Sequence, residues 1–325
     1  MRAIEVESPG LFTTVQDLGR EGFGPLGVSA SGAADPTALR VGNRLTGNPE
    51  GAAALEMTLL GGTFRFRDTC MLALTGSDFG ATLATSGSGV TPVPLWTTVE
   101  VKAGQSLSVG STRSGARCYL CVHGGIAVKE FLGSASTHVL SGLGGFEGRA
   151  LVPGDVLTVG EAGDGICPKR RVSPKMLQRL APRRILRVTP GPQMAWFDEA
   201  ARHIFFANSY RVSEESNRMG IRLTTAPGGE AKLAGCGRQM ITEGVSLGAI
   251  QVPDSGFPII LFVEQQTTGG YPKIAGVISA DLPSLGQLRP RDEIRFELVE
   301  WEHARALLAE REEWLRSAAL IEPEH

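Results

Sequence analysis

The chain has 325 residues, 42% hydrophobic and 20% charged, with 32 Lys and Arg against 34 Asp and Glu and a formal net charge of −2. That balance argues against a nucleic-acid-binding or membrane-surface protein, since both usually carry a basic excess, and the apolar share excludes a disordered chain. The 42 glycines and 19 prolines follow no period, which points to many turns and a β-rich fold.

The opening MRAIEVESPG has no apolar leader core, and no run approaches the length of a membrane span, so a cytoplasmic protein is expected. Ala3 to Glu7 reads as a first strand ended by Pro9-Gly10. Thr13 to Asp35 is too rich in glycine for a helix and too long for a simple turn, so it reads as a functional loop. Asp35-Pro36 then starts a helix, Asp as N-cap and Pro at the first helical position, that runs through Leu45 and stops at Gly47-Asn48-Pro49. From Ala54 to Val159 short apolar runs (Leu72–Thr75, Leu95–Val101, Leu107–Val109, Tyr119–Val122, Val156–Val159) alternate with Gly, Ser, Asp and Pro clusters. That spacing predicts a barrel or a sandwich.

Cys70, Cys118, Cys121, Cys167 and Cys236 form no framework and fit reduced thiols. Cys118 and Cys121 spell C-x-x-C, but residues three apart on a strand face opposite ways, so buried structural thiols are expected.

Lys169 to Arg187 holds eight basic residues and reads as a solvated linker. Beyond it Ile185 to Gly191 echoes Ile4 to Gly10, a strand followed by Pro-Gly. Pro153-Gly154-Asp155 is likewise echoed by Pro290-Arg291-Asp292. This weak repetition predicts two related β-barrel domains, 1–168 and 185–325, joined by a basic linker over 169–184. A short helix is expected over Trp196 to Phe206. A terminal amphipathic helix should carry Trp301, Ala304, Leu308, Leu315 and Ala319 on its apolar stripe.

Three polar clusters stand out as candidate sites. The first is Gln16-Asp17-Leu18-Gly19-Arg20 with Ser31-Gly32 and Asp35. The second is Ser216-Asn217-Arg218-Met219-Gly220-Ile221-Arg222, whose guanidinium forks suit carboxylate or phosphate. If this piece is extended, Arg218 and Arg222 share a face. The third is Thr267-Thr268-Gly269-Gly270-Tyr271-Pro272-Lys273, leading through Ile274–Ile278 to Asp281, with Glu243-Gly244 and Gln251-Val252-Pro253 close upstream. Paired glycines bring bare N–H groups close to a ligand, although the same residues also make ordinary turns. No phosphate-binding loop, dinucleotide fingerprint, H-E-x-x-H helix, G-x-S-x-G elbow or biotin-carrier lysine context occurs, and no metal site is expected. Of His123, His138, His203, His303 and His325, only His123 precedes a plausible loop, Gly124-Gly125.

Taken in order, Thr13–Arg20, Gly27–Asp35, Gly47-Asn48 with Leu55–Leu59, Gly124–Ile126, Gly144–Arg149, Ser216–Arg222, Gln251–Pro253 and Thr267–Asp281 resemble the family of 5-oxoprolinase C subunits. This family is also called allophanate hydrolase subunit 2, or biotin-dependent carboxyltransferase. The resemblance runs from about residue 3 to about residue 310 and implies a mainly β fold of two cyclophilin-like β-barrel domains. It further implies a role in ATP-dependent opening of the 5-oxo-L-proline lactam to L-glutamate, with Mg-bound ATP as cosubstrate. The implied partners are homologues of the 5-oxoprolinase B subunit, also called allophanate hydrolase subunit 1, and of the 5-oxoprolinase A subunit. Alternatives are a carboxyltransferase using biotin on urea or another amide, and a non-catalytic regulator that antagonises a kinase inhibitor.

Under this resemblance Asp17, Arg218, Arg222, Lys273 and Asp281 are the expected catalytic residues. Arg20, Ser216, Asn217, Gln251, Thr267, Thr268, Gly269, Gly270 and Tyr271 are the expected substrate- or ATP-binding residues. The two arginines would clamp carboxylate or phosphate, and the Thr267–Gly270 amides and hydroxyls would cradle an oxyanion. The competing role is structural, with Arg20–Asp35 and Arg222–Asp281 as buried ion pairs. Two positions depart from the family pattern: His123 replaces a small residue, and Arg291 sits in a turn that usually holds Gly.

Overall fold

The computed structural model describes residues 2–84, 89–161, 167–229, 232–234, 238 and 240–324. Cys236 and His325 lie outside them. The chain divides into two compact units. One comprises residues 1–20, 31–181 and 315–325; the other comprises 21–30 and 182–314. This differs from a simple split at the basic stretch, because the first loop is shared out and the C-terminal residues return to the first unit.

In the first unit the strands form two sheets. A seven-stranded sheet runs Ile126–Ala127, Val156–Val159, Ala3–Ser8, Thr63–Phe66, Ser106–Ser108, Thr82–Ala84, Val90–Pro92. A five-stranded sheet runs Thr13–Gln16, Ala54–Thr58, Arg117–Val122, Cys70–Gly76, Thr98–Val101. Apolar residues from both sheets, among them Ile4, Phe64, Leu72, Leu120 and Leu157, share one core. The Arg117–Val122 strand is buried along its whole length. Its alternate residues serve two faces: Cys118 and Leu120 enter the core between the sheets, while Tyr119 and Cys121 pack under a helix. Burial pushes the Cys121 thiol up to about 12 and the Cys118 thiol higher, so both stay protonated.

That helix is Pro36–Leu45. Asp35 caps it by accepting from the Ala38 N–H at 2.9 Å, and the following Gly47 is left-handed at φ 75°. Gly42 lets it approach the sheet, since a Cβ there would lie 2.5 Å from the Cys121 sulfur.

The second unit holds a closed barrel in the order Ile185–Pro190, Lys273–Val277, Ala249–Gln251, Ile259–Leu261, Gly220–Thr225, Tyr210–Val212, Glu293–Leu298. Period-two burial along Glu293–Leu298 sends Ile294 and Phe296 inward, and Phe296 stacks on Phe205 at 4.7 Å. Phe205 belongs to the helix Glu199–Ala207; the 3-10 turn Met194–Trp196 precedes it, where the sequence suggested one helix from Trp196.

The suspected repetition is real in its turns. Asp155 accepts from the Val152 N–H at 2.8 Å, and Asp292 accepts from the Arg289 N–H at 2.6 Å. Gly154 and Arg291 occupy equivalent left-handed positions, φ 91° and 73°, which explains why this turn favours glycine. The closing strand pairs with the first strand in both units, but antiparallel in one and parallel in the other.

The 169–184 stretch is structured rather than a solvated linker. Arg170–Val172 pairs with Ile321–Pro323, and Arg171 binds Glu322 at 2.8 Å. Arg184 reaches Asp292 at 2.6 Å. These acids lie more than a hundred residues away in sequence, so local composition could not reveal the pairing.

The terminal helix Trp301–Arg316 buries Ala304 and Leu315 and half-buries Leu307 and Leu308. Trp301, at its first residue, and Ala319, beyond its last, are exposed instead of joining the stripe. No helix among the described residues is long and apolar enough to cross a membrane.

Candidate functional site

The second unit contains a cavity of about 880 Å³. Its polar wall brings together Lys273, Glu243, Ser246, Thr267 and Thr268, and Gly24, Pro25 and Gly27 of the 21–30 segment also line it. Lys273 begins the barrel strand Lys273–Val277. Its ammonium lies 2.5 Å from Oε1 of Glu243 in an ion pair.

Glu243 sits on a short ribbon, Glu243–Gly244 paired with Thr268–Gly269. Lys273, and after it Gln193, hold the Glu243 carboxyl below the usual range. Gln193 bridges both partners. Its Nε2 donates to Glu243 Oε1 at 3.1 Å, and its Oε1 accepts from the Lys273 N–H at 3.1 Å. The chain can turn into this bridge because Gly191 has no side chain: a Cβ there would collide with the Lys273 carbonyl oxygen. Gln251 stands opposite Lys273 in the antiparallel register, and its buried Nε2 has no hydrogen-bond partner among the described residues.

The third cluster therefore converges on one cavity, with Lys273, Thr267 and Thr268 lining it and Gln251 and Gly269 adjoining. Gly270 and Tyr271 are exposed at the neighbouring turn. Asp281 is fully buried and does not line this cavity; Arg187 holds it through two guanidinium contacts, at 3.0 and 2.5 Å, rather than Arg222.

The second cluster does not assemble as an anion fork. Asn217 Oδ1 accepts from Met219 N at 2.8 Å and Ser216 Oγ accepts from Arg222 N at 3.0 Å, so residues 216–219 form a turn. The strand begins only at Gly220, and the period-two argument never reaches Arg218. Arg218 is buried against Glu264, whereas Arg222 is exposed.

The first cluster belongs to the other unit and ties a loop there. Asp17 accepts from Gly19 N, Ser134 Oγ and Ala135 N, each at 2.7 Å. Arg20 donates to the carbonyls of Ser136 and Phe131, and Asp35 is a helix cap. His123 bonds the Thr46 carbonyl at 2.7 Å at the end of the Pro36–Leu45 helix.

Sequence reasoning did not single out Gln193, and it noted Glu243 only as a polar edge. The signal available for Gln193 was its place just after the Pro190-Gly191 turn. Among the described residues no three His, Cys, Asp or Glu side chains gather as a metal site.

The carboxyltransferase domain, subdomain A and B, family matches residues 26–298, and the chain belongs to it. Two relatives carry a particular name. The 5-oxoprolinase C subunit of Escherichia coli (strain K12) is 38% identical over 295 residues, 90% of each chain. The protein of that name from Haemophilus influenzae is 36% identical over 303 residues, 93% of each chain. The crystal structure of the K. lactis urea amidolyase superposes with a TM-score of 0.86 at 32% identity. That match covers 99% of this chain and 21% of the amidolyase, so the chain spans about a fifth of that larger protein.

Proposed function

We propose that this chain is the C subunit of an ATP-dependent 5-oxoprolinase, acting with homologues of the A and B subunits. Similarity along nine-tenths of both chains to proteins named as 5-oxoprolinase C subunits carries this reading. An unstrained lactam resists hydrolysis. Attack of its carbonyl oxygen on the γ-phosphorus of Mg-bound ATP releases ADP and converts that oxygen into a leaving group. Water then adds to the carbon and the ring C–N bond breaks, leaving an acyl phosphate. A second water releases phosphate and glutamate.

The cavity suits the anionic and polar parts of such a substrate. Lys273 supplies a positive charge, Thr267 and Thr268 supply hydroxyls, and Glu243 supplies the counter-ion to the lysine. A second reading, biotin-dependent carboxyl transfer to urea or a similar amide, is favoured by the full-length match within the urea amidolyase.

Mixing the purified chain with its A and B homologues, 5-oxo-L-proline and Mg-ATP should release glutamate and ADP together, and omitting this chain should stop both. No glutamate, with carboxylation in the presence of carboxybiotin, would overturn the first reading in favour of the second.

A further inference from the structure

Lys273 is 4% exposed, yet the carboxylate paired with it belongs to a side chain that is 46% exposed. A buried ammonium requires an anion, but the anion here rides on a ribbon of two paired residues on each strand, outside the barrel. Elements with so few paired groups open at little cost. The fixed partner and the exchangeable partner are thereby separated.

A second donor shares the place. Gln251 is 2% exposed, and its Nε2 is buried without an acceptor among the described residues, an arrangement that costs free energy unless a ligand supplies one. Gln251 and Lys273 are register partners on adjacent antiparallel strands, so their side chains leave the same face of the sheet. Gly269, itself the register partner of Glu243, covers the amide: a Cβ at Gly269 would lie 2.6 Å from Gln251 Nε2. Only glycine fits there, so the ribbon packs directly on the amide, and moving the ribbon uncovers it.

We propose that Lys273 and Gln251 form a carboxylate-binding subsite, and that Glu243 occupies it in the empty protein as an internal counter-ion. A small carboxylic acid enters as its anion, one oxygen taking the Lys273 ammonium and the other the Gln251 amide, while Glu243 swings to solvent. The subsite deepens the reading given above and rests on it only for the identity of the acid, the carboxylate of 5-oxo-L-proline.

Isothermal titration calorimetry on the full chain tests this with acetate, 5-oxo-L-proline and the neutral lactam 2-pyrrolidinone. If the internal counter-ion fills the subsite about nine-tenths of the time, Glu243→Gln tightens both carboxylates about tenfold and leaves 2-pyrrolidinone unchanged. Adding Gln251→Leu, close to it in size but without the donor, removes that gain. The proposal is overturned if Glu243→Gln leaves carboxylate affinity unchanged or weaker, if it tightens the neutral lactam equally, or if neither protein binds a carboxylate. Tighter carboxylate binding without glutamate release by the assembled complex would sink the oxoprolinase reading and keep the subsite. Glutamate release with no effect of Glu243→Gln on binding would do the reverse.

Discussion

Arg218 and Glu264 are each more than nine-tenths buried and in contact. A buried pair adds little net stability, but removing one member strands the other charge at a cost of about 3–5 kcal/mol. Arg218→Ala should therefore lower unfolding stability by about that amount in chemical denaturation. The joint change of Arg218→Met with Glu264→Leu should recover much of the loss, because it leaves no buried charge. Loss of activity in the assembled complex at unchanged stability would instead place Arg218 in the chemistry. Two arginines in S-x-R-x-x-x-R look equivalent in a sequence. The Asn217 turn separates them, sending one inward to Glu264 and leaving the other in solvent.

At the level of elements, the Val152–Asp155 turn closes the first unit. Arg149 holds the Asp155 carboxyl below its usual range; burial opposes this, and the Val152 N–H assists. With the folded value below the unfolded one, this stabilisation is fully present above the unfolded value, about 3.9. It is lost as pH falls through the folded value. Asp155→Asn should lower the thermal midpoint near neutrality, and the gap to the parent chain should close below about pH 4. A gap that does not change with pH would show that the carboxylate's charge contributes nothing. The proline and aspartate of this turn were visible in both halves of the sequence. The opposite directions in which the two closing strands pair were not, because strand direction depends on the path of the intervening chain.

At the scale of the whole molecule, the last residues complete the first unit. Ile321–Pro323 pairs with Arg170–Val172, Leu320 is fully buried, and Ser173 N donates to the Leu320 carbonyl at 2.9 Å. A chain ending at Arg316 forfeits this strand and the burial of Leu320, a side chain worth about 1.5–3 kcal/mol. Its thermal unfolding should shift down by several degrees. An unchanged midpoint would mean that the tail contributes nothing to the unit it joins. A boundary drawn from composition places the basic stretch between domains, yet its arginines find their acids at Asp281, Asp292 and Glu322.

The β-rich class, the Asp35-capped helix, the buried thiols and the family were all legible before any coordinates, because each is written in local pattern or ordered motifs. The same reading marked Thr267–Lys273 as a candidate site. Which polar residues meet is a different matter: Gln193, Glu243, Gln251 and Lys273 come from four separate segments. Barrel closure and strand register bring them together. A contact between residues some eighty positions apart leaves no periodic trace in the chain, so its partners emerge only when backbone hydrogen bonding fixes which strands are neighbours.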